Sequence, residues 1–92
     1  MKNSFLLLLV CINLTLFAQW SKMPGGGKDI SVGADGSVWL TGGTKVGNAD
    51  DYSIFKWNGS NWSQVDGGAV AIAVCKNGIP YVINSKGEIY HK

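Results

Sequence analysis

The sequence predicts an all-β protein of two four-stranded antiparallel units in tandem, one per internal repeat. Three observations carry this. Sliding the sequence by 42 positions superposes Trp20-Ser21 on Trp62-Ser63, Gly25-Gly26 on Gly67-Gly68, Ile30 on Ile72, Val32 on Val74 and Gly36 on Gly78. Trp39-Leu40 meets the similar Tyr81-Val82, and past a seven-residue insertion within residues 41–52, Ser53-Ile54-Phe55-Lys56 meets Glu88-Ile89-Tyr90-His91. Short apolar-patterned runs flank Asp35-Gly36, Asn58-Gly59 and Asn77-Gly78. Such pairs signal hairpins, because the turn needs positive φ, which Gly, Asp and Asn tolerate. Finally, nothing after residue 18 holds a helical apolar period over ten or more residues. A four-stranded unit recurring every 35–42 residues is the mark of a β-propeller blade.

The elements follow in order. Residues 1–4 carry one positive charge, and residues 5–18 are apolar except for Asn13 and Thr15. A spanning helix needs about 20 apolar residues, so this stretch reads as a secretory signal peptide cut after Ala18, with no membrane span. The first repeat occupies 19–61 and the second 62–92. Strands are expected at 30–32, 38–40, 54–57, 62–65, 69–75, 79–83 and 88–91, about eight in meander order with four per copy. Trp20 and Trp62 hold the same repeat position and are expected to pack between blades. Cys75 ends an apolar run and is expected to be buried.

Composition narrows the function. Without the leader, 74 residues remain, enough for one small domain with a marginal core. Seven Lys then face six acids, and there is no Arg, so nothing draws nucleic acid or an anionic surface. His91 is the only histidine, which leaves no base–nucleophile or relay arrangement; an enzyme is not expected. Asp50-Asp51 is one acidic pair, far short of the six to eight oxygens calcium takes, and reads as a solvated loop. No metal or cofactor is expected.

The pattern Trp-Ser-x-x-x-Gly-Gly, Ile-x-Val, Asp-Gly-Ser-Val-Trp and Ile-Phe-Lys-Trp-Asn-Gly-Ser-Asn-Trp resembles the tectonin repeat. The second copy resembles it too, through Ile72-Ala73-Val74, Asn77-Gly78, Pro80-Tyr81-Val82-Ile83-Asn84 and Gly87-Glu88-Ile89-Tyr90. The resemblance covers nearly all of residues 20–91 and is to the tachylectin and fish egg lectin type. It implies a β-propeller that recognises surface glycans, often bacterial lipopolysaccharide, although some members bind proteins or lipids. Propellers need roughly four to eight blades, and this sequence holds two repeats. The expectation is an incomplete propeller per chain, completed by a homo-oligomer or belonging to a longer tectonin-repeat protein.

Sugar recognition needs aromatic rings for the C–H faces and short polar groups for the hydroxyls. Loops carry such groups on repeat scaffolds. The longest loop, residues 42–52, gathers Asn48, Asp50, Asp51 and Tyr52, and Asn84 stands at the equivalent loop start in the second copy. These five are the candidate ligand residues. The leading expectation is a secreted lectin-like protein that binds carbohydrate or glycoconjugate non-covalently; the competing one is a structural or protein-interaction module.

Overall fold

The computed structural model describes residues 20–92, so the expected leader lies outside the described residues. Seven strands form two antiparallel sheets. The first has the order β1 (Asp29–Val32), β2 (Val38–Lys45), β3 (Tyr52–Trp57), β4 (Trp62–Ala69), and the second β5 (Ala71–Val74), β6 (Pro80–Ile83), β7 (Ile89–His91). No described segment is helical, and none is a helix long and apolar enough to cross a membrane.

The all-β expectation holds, but the division into four and four does not: the sheets have four and three strands. β4 opens the second sequence repeat yet closes the first sheet, pairing with β3 from Trp57↔Trp62 to Tyr52↔Ala69. Ala69, expected at the start of a separate strand, therefore belongs to β4. The repeat equivalent of β4, the segment 20–27, forms no strand: its end at Gly27 lies against β2, but it makes no ladder with a neighbour. A strand exists only with a partner to take its backbone hydrogen bonds.

The turns explain why the glycines recur. Gly36 N donates to Gly33 O and Gly33 N to Ser37 O; Gly78 N to Cys75 O and Cys75 N to Ile79 O repeat the pattern 42 residues later. Gly36, Gly78 and Gly87 sit at φ 88°, 84° and 82°, while among the described residues no other residue type has positive φ. These are type I turns closed by a left-handed glycine, so Asp35 and Asn77 stay in ordinary backbone. Asp35 instead accepts from Ser37 N and Ser37 Oγ at 3.1 and 2.7 Å. Cys75 is exposed, contrary to expectation, because it starts such a turn beyond the covered part of the sheet.

Period-two alternation divides each sheet into faces. On the first sheet, Asp29, Ser31, Trp39, Thr41, Ile54 and Val65 share one face, and Ile30, Val32, Leu40 and Phe55 the other. On the second, Ile72, Val74, Val82 and Tyr90 share one face, and Ala71, Ala73, Tyr81, Ile83 and Ile89 the other. The core forms where the first face meets the third: Trp39, Ile54, Ala69 and Ile72, with Val65, Val74 and Val82 packed on them. Two side chains of β1 complete the joint. Asp29 Oδ2 accepts from Ile72 N at 2.8 Å and Ser31 Oγ accepts from Val74 N at 3.1 Å, covering the open edge of β5.

Register shifts interrupt β2–β3 between Thr41 and Lys45, and β3–β4 between Ser53 and Ile54. Fully buried Thr41 fills the gap, its hydroxyl donating to Ala69 O at 2.9 Å. β2 thereby reaches Lys45, so much of the expected 42–52 loop is strand and only residues 46–51 connect β2 to β3.

Candidate functional site

Two regions gather functional chemistry. The first contains the residues the sequence singled out. Asp50 Oδ1 and Lys45 Nζ form an exposed ion pair at 2.8 Å, which lowers the Asp50 carboxyl below its ordinary value and raises Lys45 above its own. Asp51 Oδ1 accepts from Ser85 N at 2.6 Å, and this bond brings the 46–51 connection against the turn that begins at Asn84. Asn84 Oδ1 accepts from Lys86 N and Glu88 N, and its Nδ2 donates to Glu88 Oε1, so the side chain shapes its own turn. Tyr52 is half-buried with the Lys28 ammonium 4.3 Å above its ring. Asn48 is exposed. Four of the five residues therefore lie on two adjoining loops while Tyr52 opens β3, and Asp51 and Asn84 have polar atoms engaged by the chain itself. Among the described residues no three His, Cys, Asp or Glu side chains cluster to hold a metal.

The second region is a cleft of about 320 Å³ between the sheets. Trp39, Ile54 and Val65 form one wall, the 66–68 segment at the end of β4 an end, and Val82 and Tyr90 the other wall; His91 meets the cleft only at its edge, its ring lying against Tyr81 on the second sheet's outward face. The Trp39 indole is buried, yet its Nε1 has no hydrogen-bond partner. A buried donor left unpaired costs about 1–3 kcal/mol, so such groups in native sites commonly face a ligand or water. Lys56 Nζ stands 5.4 Å from the centre of the Trp39 ring. The lining thus joins rings and aliphatic surface to the Trp39 indole and to Asp66.

No protein-family profile matches the chain. No curated protein matches it either. The site's reading rests on its own chemistry.

Sequence reasoning matched Trp39 with Tyr81 as repeat equivalents, set His91 aside as a lone histidine and gave Asp66 no role. The available signal was the repeat itself: Trp39 and Tyr81 are equivalent, so a ring recurs on that face. That one of them lacks a partner is decided by what packs over it.

The expected packing of Trp20 and Trp62 between sheets also differs from what is found. Trp62 stacks edge-on against Trp57, with ring centres 5.0 Å apart, and its Nε1 donates to Pro24 O at 2.8 Å. It therefore clamps the N-terminal segment to the first sheet's outward face, while Trp20 touches little and is exposed.

Proposed function

We propose that the chain is a secreted lectin-like protein of two blade-type sheets that binds a neutral surface carbohydrate in the cleft between them. One observation carries the reading: a buried Trp39 Nε1 without a partner, on a residue that lines a cleft with aromatic and aliphatic walls. A pyranose presents C–H faces that pack on rings and hydroxyls that accept from an indole N–H or donate to a carboxylate. In this arrangement Tyr90 supplies a ring, Trp39 Nε1 a donor, and Asp66 a polar partner at the rim. A balance of seven Lys against six acids beyond the leader suits an uncharged ligand. The resemblance to tectonin repeats supports the same ligand class.

A glycan array on the purified protein tests this, followed by titration of the best sugar into Trp39→Phe. The substitution keeps a ring and removes the donor. Binding weaker by about tenfold is expected, the loss of one hydrogen bond of roughly 1.4 kcal/mol. A silent array, or an unchanged affinity in Trp39→Phe, sinks the cleft as the sugar site.

A further inference from the structure

The two sheets use their faces head to tail, and equivalent residues meet different fates. The first sheet turns Trp39 and Ile54 inward; their repeat equivalents Tyr81 and Ile89 lie on the second sheet's outward face. The second sheet turns Ile72 inward; its equivalent Ile30 lies on the first sheet's outward face. Ile72 is 7% exposed but Ile30 56%, Ile54 6% but Ile89 69%, and Trp39 5% but Tyr81 42%. One joint within the chain thus buries one member of each of these pairs and leaves the other exposed; Leu40, on the face of Ile30, is covered by the chain's own Gly27. The bare face of the second sheet is a nearly unbroken apolar hollow over Ala71, Ala73, Tyr81, Ile83 and Ile89.

A strand is unmatched in the same sense. β4 pairs with β3, while β7, the equivalent of β3, has no partner on its outer edge among the described residues and is exposed throughout. The segment equivalent to β4 begins at Trp20, which is 93% exposed. Shifting the β3–β4 register by the repeat offsets pairs Ile89 with Met23, Tyr90 with Lys22 and His91 with Ser21. It also lays Trp20 over the 66–67 backbone, as Trp62 lies over Pro24 and Gly25. Gly25 and Gly67 are equivalent and both have positive φ, 82° and 114°. The chain's own segment cannot make this pairing. Trp62 holds Pro24 on the face of the first sheet that looks away from the second. The four residues 20–23 reach about 14 Å at most, and they would have to round a sheet and cross a spacing of about 10 Å.

We propose that a second copy of this chain docks head to tail: its exposed Ile30–Val32 face covers the Tyr81–Ile83–Ile89 face, and its residues 20–23 add a fourth strand along β7. The contact is heterologous, so each copy offers one donor and one acceptor surface, and addition continues until a ring closes or a filament grows. It is also apolar. The positions of Asp29 and Ser31, which hydrogen-bond across the joint within the chain, are taken by Ala71 and Ala73 in the second sheet. Beside Trp62 a hollow of about 260 Å³ persists in the first sheet, so the same seating of a second copy's Trp20 leaves the Trp39 cleft open. The inference stands on repeat geometry and does not depend on the carbohydrate reading.

Two variants at exposed positions test it without touching the core. Ile30→Lys disables the donor face and Ile89→Lys the acceptor face. Light scattering on the exported, purified protein at about 100 μM should give a mass above one chain for the parent and one chain for each variant. Mixed in equal amounts, the two variants should form a 1:1 dimer, because each retains the surface the other lacks. For register, Met23→Cys with Ile89→Cys in a Cys75→Ser background should form an interchain disulfide, and Lys22→Cys with Ile89→Cys should not. A monomeric parent, a mixture that stays monomeric, or equal crosslinking of both pairs overturns the proposal. Far-UV circular dichroism verifies that the variants keep their strands. The masses are read without sugar, so failure here leaves the cleft reading standing, and a silent glycan array leaves this one standing.

Discussion

Removing the Asp29 carboxylate is the most direct probe of the joint that forms the cleft. Asp29 Oδ2 accepts from Ile72 N at 2.8 Å, and Ile72 is a core residue. In Asp29→Ala that N–H loses its acceptor in a place water reaches poorly. A hydrogen bond to a charged group contributes about 1.5–3 kcal/mol, and half-burial of Asp29 puts the expected loss near 2 kcal/mol. Ser31→Ala removes the longer, neutral bond to Val74 N at 3.1 Å and should cost about 1 kcal/mol. Asp29→Asn keeps an oxygen acceptor and should cost less than Asp29→Ala. A domain of this size is stable by about 4–11 kcal/mol, so Asp29→Ala removes a large fraction. At about 4–8 °C per kcal/mol, the melting temperature should fall by roughly 8–16 °C. Urea unfolding followed by tryptophan fluorescence measures the differences. If Asp29→Ala unfolds within about 0.3 kcal/mol of the parent, or Asp29→Asn matches Asp29→Ala, the carboxylate does not hold the sheets together and the argument fails.

Two further outcomes follow from the same reasoning. Thr41→Val preserves shape but orphans Ala69 O among the register shifts; a loss of about 1–3 kcal/mol in urea unfolding is expected, and a neutral result would show that the hydroxyl is not needed there. Acid should weaken the fold through Asp35 and Asp50. The Ser37 hydroxyl and N–H hold the Asp35 carboxyl below its ordinary 3.8, and Lys45 does the same for Asp50. Groups depressed in the folded state stabilise it fully above the unfolded value, and this contribution is lost as pH falls through the folded value. Unfolding midpoints should therefore drop below about pH 4, by a small amount because both groups are exposed, and Asp35→Asn should flatten the slope. An unchanged slope counts against the Asp35–Ser37 contact.

Much of the fold was legible because its signals are local. Asp35-Gly36, Asn58-Gly59 and Asn77-Gly78 mark turns whatever surrounds them, since only glycine accepts the left-handed backbone without strain. Alternation in residues 30–32 and 72–74 fixes which side chains share a face. The candidate site was less legible. Asp50, Asp51 and Asn84 stood out as polar loop residues, but whether a polar atom is free depends on neighbours distant in sequence, as Ser85 is for Asp51. The Trp39 donor was hidden for the same reason: a ring in a strand pattern reads as packing.

The sequence by itself determined a set of short strands, the turns between them and a duplicated pattern, all consequences of backbone preference and side-chain alternation over a few residues. The hairpin signal at Asn58-Gly59 already set β4 beside β3; only the tertiary structure decided that β4 takes no partner in the second sheet, which is left with three strands. It alone decided that Ile72 is covered while the equivalent Ile30 is bare. Strand pairing and burial are relations between segments far apart in the chain, and a repeat gives both copies the same local instructions. What distinguishes the copies is which neighbour lies across each face.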